Sequence, residues 1–224
     1  METGVEEIEE YETQIVMPVT HIEYPVDKIN RTIWAEKNAV NFSKTIRINT
    51  GNKNKKTDSA MIKVKIDFDA FAKTDDITIS ETLTTFDKVC LFTIAALYNA
   101  GNKIISGTLI YKNMNISKTQ PNTRDLDEIR NSIKKMSQAR VTIDNRRETE
   151  VYQNYELVQW DVPLLAIEIV TQSINGSVTE MGIKVLQEPA LLRFAKLRKQ
   201  FTTIPIPVWK LPIRKIILSQ KVGL

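Results

Sequence analysis

Arg124, Asn131, Lys134, Lys135 and Gln138 fall at spacings that gather them on one side of a helix over about residues 123–138. Those side chains are the types that read base edges. Arg or Lys can grip guanine, and Asn or Gln can pair with adenine, on an element narrow enough for the major groove of DNA. Beyond the helix lie Arg140, Arg146 and Arg147, cations suited to phosphate, and a later basic helix carries Arg193 and Lys196. Asp127 and Glu128 interrupt the positive face, count against a purely electrostatic grip, and suggest either selective contacts or a partly repelling edge. A charged helix face can equally be just a solvated one, so the elements around it must weigh in.

Those elements come in a telling order between Leu83 and Asp144. Thr84 starts an apolar helix, with Asp87 three residues on as its capping partner. Gly101 ends that helix, and Lys103 to Ile105 is extended. Ser106 caps a second helix over about 107–114, and Asn115 to Pro121 is a turn. The third helix repeats Leu126, Ile129, Ile133 and Met136 as its buried stripe, opposite the polar face. Val141 and Ile143 then alternate into a polar tip, Asp144-Asn145-Arg146-Arg147. Helix, short strand, helix, turn, helix, hairpin is the plan of a winged helix: a helix-turn-helix plus a β-hairpin wing. In this reading the wing is the hairpin tipped by Arg146 and Arg147, and Arg140 starts its first strand.

The rest of the chain is read around that unit. Residues 1–20 form an acidic, disordered arm. Residues 21–80 form a β-rich N-terminal extension, with strands over about 43–49 and 61–71 joined by a basic loop and a short extended piece at Ile77 and Ile79. Residues 81–205 make the winged-helix domain, and 206–224 a short tail. Asn175-Gly176 marks a second hairpin, flanked by strands near 164–170 and 178–186, and Pro189 opens a last helix to about 199. Trp34, Trp160 and Phe201 are expected as core or interface anchors. The fold class is α+β. The net charge of +4 conceals an asymmetry: residues 1–30 carry eight acids and one base, or −7, which leaves +11 on the remainder. A basic body with an acidic arm suits a polyanionic partner or, equally, a soluble basic domain with a tail.

The composition excludes several chemistries. Cys90, the only cysteine, lies in an apolar helix and reads as a core residue, and His21, the only histidine, is remote from it. One histidine cannot build a His-hydrophobic-His metal site, zinc lacks ligands, and there is no GxxxxGK[ST] phosphate loop. Asp67 and Asp69, with Asp75 or Asp76, could hold Mg²⁺, but solvated carboxylates on a strand are the commoner case. The expectation is therefore a non-catalytic protein with no cofactor and no metal. No apolar run reaches the ~20 residues of a membrane helix, and no signal peptide is visible, so a cytoplasmic location is the default.

Several segments bear a family resemblance. Leu83-Thr84-Thr85-Phe86-Asp87-Lys88-Val89, Leu97-Tyr98-Asn99-Ala100-Gly101-Asn102, Ser132-Ile133-Lys134-Lys135-Met136 and Ile143-Asp144-Asn145 resemble winged-helix replication initiators of plasmids and related mobile elements. Glu188-Pro189-Ala190-Leu191-Leu192 and Phe194-Ala195-Lys196-Leu197-Arg198-Lys199-Gln200 are similar to the same group, and the likeness covers about residues 25–205. The resemblance implies double-stranded origin repeats as the DNA partner, host replication proteins as further partners, and a homodimer. It also implies two winged-helix domains, of which this chain would hold the first. The alternatives are a transcriptional regulator on the same fold and a winged-helix module for protein interaction or dimerisation. A nuclease built on Asp67 and Asp69 is the least supported.

Overall fold

The computed structural model describes residues 16–35, 42–49, 59–68, 83–114, 120–144, 159–174 and 177–210. In chain order the elements are β1 (His21–Pro25), α1 (Lys28–Ala35), β2 (Phe42–Asn49), β3 (Ser59–Phe68), α2 (Thr85–Asn99), β4 (Ile105–Ser106) and α3 (Gly107–Met114). There follow α4 (Thr123–Gln138), β5 (Ala139–Asp144), β6 (Gln159–Pro163), β7 (Ile167–Ile174), β8 (Ser177–Val185), α5 (Ala190–Leu197), β9 (Phe201–Pro205) and α6 (Ile206–Trp209). The protein is α+β.

Helix α2 is the hub, and its sequence explains why. Cys90 through Leu97 is an uninterrupted run without a charge, too apolar to leave any side in water, and every one of those residues is buried. The helix starts on a reciprocal capping box between Thr84 and Asp87. It stops in a Schellman turn: Asn102 N–H donates to the Leu97 carbonyl at 3.2 Å and Gly101 N–H to that of Tyr98 at 2.9 Å. Gly101 has φ +95°, which a side chain would resist. One flank of α2 packs into the main core with Ile110, Ile129, Ile133, Met136, Val141 and Leu191. Phe92, Ala95 and Ala96 face a second core with Ile22, Leu192 and Trp209. There Tyr24 meets the Phe92 ring edge-on at 5.3 Å, and burial, aided by the Asp27 charge, pushes its phenol up to about 12.

Three sheets surround this hub. Strands β2, β3, β5 and β6 form a four-stranded antiparallel sheet in that order, whose register sets Val64 opposite Ile143 and Ile66 opposite Val141. A second sheet has the order β4-β8-β7, with Ile105 opposite Ile183 and Ile183 opposite Ile169. A third, two-stranded sheet pairs β1 with β9.

The antiparallel pairs β2–β3 and β7–β8 are the hairpins expected over 43–69 and 164–186, and the structure adds the pairing of the short strand, which the sequence left open. The short strand before α3 does not pair with the strand after α4. β5 joins β3 and β6, while β4 joins the hairpin β7–β8. Sequence left this open because a strand pattern reports burial and alternation but not the neighbour. Asn175 and Gly176 lie outside the described residues, yet the flanking strands pair up to Ile174 opposite Ser177, as a two-residue connection requires. Strand pairing also crosses the 80/81 boundary, because β3 is bonded to β5, and it joins residues 21–25 to 201–205. Residues 16–20, read as part of a disordered arm, are built into the body. The Met17 N–H donates to Asn102 Oδ1 at 2.9 Å, and its carbonyl accepts from Asn102 Nδ2 at 3.0 Å. Residues 1–15 lie outside the described residues, as do Ile77 and Ile79. The aromatic anchors are redistributed as well: Phe201 is 37% exposed, while Trp209, assigned to the tail, is buried and donates its indole N–H to Thr93 at 3.0 Å.

Candidate nucleic-acid interface

Helix α4 presents the candidate face, and local chemistry sets it up. Asn122 caps the helix, accepting from Asp125 N–H at 2.8 Å while its own N–H donates to the Asp125 carboxylate at 3.1 Å. That reciprocal box leaves a carboxylate at the positive end of the helix dipole. Ile129, Ile133 and Met136 are buried as the stripe requires. Leu126 at the same side meets α3, where a Cβ added to Gly107 would stand 3.3 Å from its Cδ2. Helix α3 is capped as the sequence indicates, with Leu109 N–H donating to Ser106 Oγ at 3.2 Å, and it buries Ile110, Tyr111 and Met114.

Four of the five expected base-reading residues share the open side of α4. Arg124 and Asn131 are exposed, and Lys134 and Gln138 are half-buried at its margins. Of the two acids that interrupt this face, Asp127 is held by Arg130 at 2.7 Å, so its charge is locally neutralised, while Glu128 is exposed. The fifth residue, Lys135, is a correction. It is buried, and its Nζ lies 2.5 Å from Asp87 Oδ2, at the other end of the hub helix. The cause is that α4 is covered by α2 over more than its apolar stripe: the buried Ser132 stands 60° from Lys135 around the helix and carries the covered sector toward it.

Of the described cations outside α4, Arg140 and Lys196 are tied to acids of the fold. Arg140 lies on β5 in the four-stranded sheet rather than on a strand paired with β4. Its Nε donates to Asp161 Oδ1 at 3.2 Å and its second guanidinium nitrogen to the Asp161 carbonyl at 3.3 Å, which blunts it as a phosphate contact. Arg193 is exposed on α5. Lys196 is a second correction, because it is chelated by Glu23 and by Glu188, the latter at 2.6 Å. Burial pulls its pKa down, but hydrogen bonds to Glu188 and Glu23 and their charges outweigh that and leave it raised. Asn99 completes this cluster by donating to Glu23 at 2.8 Å and Glu188 at 3.0 Å. Arg146 and Arg147 lie outside the described residues.

Two features escaped sequence reasoning. The Asp87–Lys135 pair was half visible, since Asp87 stood out as a cap, but nothing local pointed to a lysine nearly fifty positions on. The Glu23–Lys196–Glu188 clamp joins β1 to the segment that carries α5, and its long-range half left no signal. The cysteine reading does hold: Cys90 is fully buried against Ser132, and burial pushes its thiol up to about 12, which makes it a poor nucleophile. Asp69, Asp75 and Asp76 lie outside the described residues, and among the described ones no group of three or more His, Cys, Asp or Glu side chains could hold a metal ion. Among them too, no helix is long and apolar enough to cross a membrane.

No protein-family model matches the chain, and no curated protein matches it. Among solved structures it is similar to domains 2 and 3 of RctB, at 14% identity and a TM-score of 0.42, over 74% of this chain and 59% of that one. A second crystal structure of the RctB domains 2-3 aligns at 12% identity and a TM-score of 0.39, over 70% and 54%. The chain thus spans little more than half the length of either. At those scores the likeness settles neither fold nor function.

Proposed function

We propose that this protein is a non-catalytic, sequence-specific binder of double-stranded DNA on a winged-helix plan, acting as a replication initiator at the origin repeats of a plasmid or mobile element. The observation that carries the DNA reading is the arrangement around α4. A short strand between α2 and α3 pairs into an antiparallel hairpin, while α4 turns Arg124, Asn131, Lys134 and Gln138 outward. The initiator role rests on the sequence resemblance. In this reading the wing is β7–β8, not the hairpin tipped by Arg146 and Arg147. That changes the expected physics, because the hairpin from Ile167 to Val185 carries a single cation, Lys184, and it is paired with Glu168 at 3.1 Å. Such a wing contacts DNA through hydroxyls and amides, so the salt dependence of binding comes from α4, Arg193 and the Arg146–Arg147 pair. A homodimer and host replication proteins are the partners that go with this role, in the cytoplasm.

Selection of bound sequences from random duplexes tests the proposal. The expected result is enrichment of one motif that binds more tightly than random duplex at physiological salt. Equal affinity for all duplexes counts against it, and enrichment of a promoter element rather than the origin repeats favours a transcriptional regulator. One observation favours a protein-interaction module instead: Ile169 and Leu186 on and beside the hairpin are 53% and 51% exposed. Self-association without any DNA binding would establish that alternative.

A further inference from the structure

We propose that the buried Asp87–Lys135 ion pair is a positioning device that fixes the rotation of α4 about its own axis, and so sets which side chains read DNA without touching DNA itself. The inference rests on the DNA-binding reading above.

The pair differs in kind from the surface pairs. The side chains of Lys135 and Asp87 are 9% and 2% exposed, whereas those of Arg140 with Asp161 and of Lys184 with Glu168 are at least 42% exposed. A buried pair adds little net stability over a well-packed apolar substitute, because desolvation offsets its attraction. What it does supply is direction. Burial of Ile129, Ile133 and Met136 is favourable but non-directional, and a modest roll of α4 would keep most of that area covered. The same roll would draw Lys135 away from Asp87 and strand two charges in the interior.

The Asp87 end cannot follow such a roll. Its carboxylate also accepts from Thr84 N–H at 2.6 Å and Thr84 Oγ1 at 2.8 Å, as the reciprocal cap of α2. Helix α2 is in turn seated in the core along Cys90 to Leu97. The anchor is therefore held by a cap and a core, and α4 must seat to it. The reading face inherits that constraint. Asn131 and Gln138 lie four residues before and three after Lys135, about 40° and 60° away around the helix. With Lys135 held inward, Asn131 is fixed on the open side and Gln138 at its margin, with Lys134.

The test separates positioning from contact. The double variant Asp87→Asn with Lys135→Met removes both charges and keeps volume and a cap acceptor. Its thermal unfolding, its affinity for the selected motif and for random duplex, and its salt slope are compared with those of the unmodified protein. The expected result is a folded variant whose motif-to-random ratio falls about tenfold or more. Its affinity for random duplex and its salt slope stay close to the original. Lys135→Arg, which keeps a charged partner for Asp87, retains the ratio. An unchanged ratio in the double variant overturns the inference, as does a parallel loss on all duplexes with a salt slope smaller by about one phosphate contact, which would make Lys135 a direct contact. Should the double variant not fold, Asp87→Glu keeps the charge but lengthens its arm. It is expected to lower the ratio, and an unchanged ratio there overturns the inference equally. If the unmodified protein prefers no duplex, the DNA reading itself fails and takes this inference with it.

Discussion

Helices α4 and α5 both carry cations on an amphipathic frame, and the structure puts them to different uses. On α4 the outward face holds Arg124 and Asn131 in solvent, and of the two acids that interrupt it, Asp127 is answered by Arg130 while Glu128 is exposed. On α5 Arg193 is exposed, but the cations at the end of the helix are absorbed into the fold: Lys196 sits between Glu23 and Glu188, and the guanidinium of the C-cap Arg198 lies 5.5 Å from the Phe194 ring centre. The apolar side of α5 is almost wholly buried through Ala190, Leu191, Leu192, Phe194 and Ala195. A count of Lys and Arg cannot tell a reading helix from a fastening one. What distinguishes them is whether acids fold back onto the outward-facing cations.

The largest expected effect that bears on this contrast is on α5. Leu192→Ala removes a fully buried side chain from the second core and is expected to cost about 2–5 kcal/mol of stability. Chemical denaturation would measure that, and motif preference should persist in the folded fraction. Next comes α4: Asn131→Ala and Lys134→Ala should each weaken binding to the selected motif by about 1–3 kcal/mol with little loss of stability. If they weaken all duplexes alike, α4 fastens rather than reads. Lys199→Gly is smaller and of opposite sign. Lys199 adopts φ +53° in the Schellman turn that ends α5, where Gln200 N–H donates to the Ala195 carbonyl at 2.8 Å. Glycine there should raise the melting temperature by the equivalent of up to about 1 kcal/mol, and an unchanged affinity for DNA would show that this cation serves no phosphate.

Smallest is Lys196→Ala, expected to cost about 0.5–1 kcal/mol because the clamp is only partly shielded from water. Its pH signature is more telling than its size. The folded pKa of Lys196 is raised, so its contribution is fully present below the usual lysine value of 10.5 and is lost as pH rises through the higher folded value. Denaturation midpoints followed from pH 9 upward should therefore fall less steeply in Lys196→Ala. An identical slope would mean that the clamp does not form in solution.

The parts of the fold that announced themselves were local. The Thr84–Asp87 box, the Gly101 stop, the Ser106 cap and the apolar stripe of α4 each need information only from within a few residues, and each is found where the residues put it. What was illegible depends on neighbours distant in the chain. β4 could have paired with either following hairpin, since Ile105 looks the same in both cases. Helix α1 passed unread because Lys28–Ala35 has no acid in its first turn and no base in its last, and its N-terminal anchor, Asp27 accepting from Asn30 N–H at 2.9 Å, is buried by packing that no local pattern shows. The base-reading face was legible for Arg124, Asn131, Lys134 and Gln138. A helical wheel assigns Lys135 an angle but not the carboxylate that α2 brings to meet it.

The pairing of His21–Pro25 with Phe201–Pro205 has a consequence for how the molecule comes into being. A ribosome releases β1 early, yet its hydrogen-bonding partner does not exist until residue 205 has been added. Until then Ile22 and Phe92 lack the cover of Leu192 and Trp209, and an unpaired strand is left open to neighbours. Contacts of such long sequence separation close late and slowly. Among the described parts, the second core should therefore be the last to close during synthesis, and the stage at which nascent chains are most prone to aggregate.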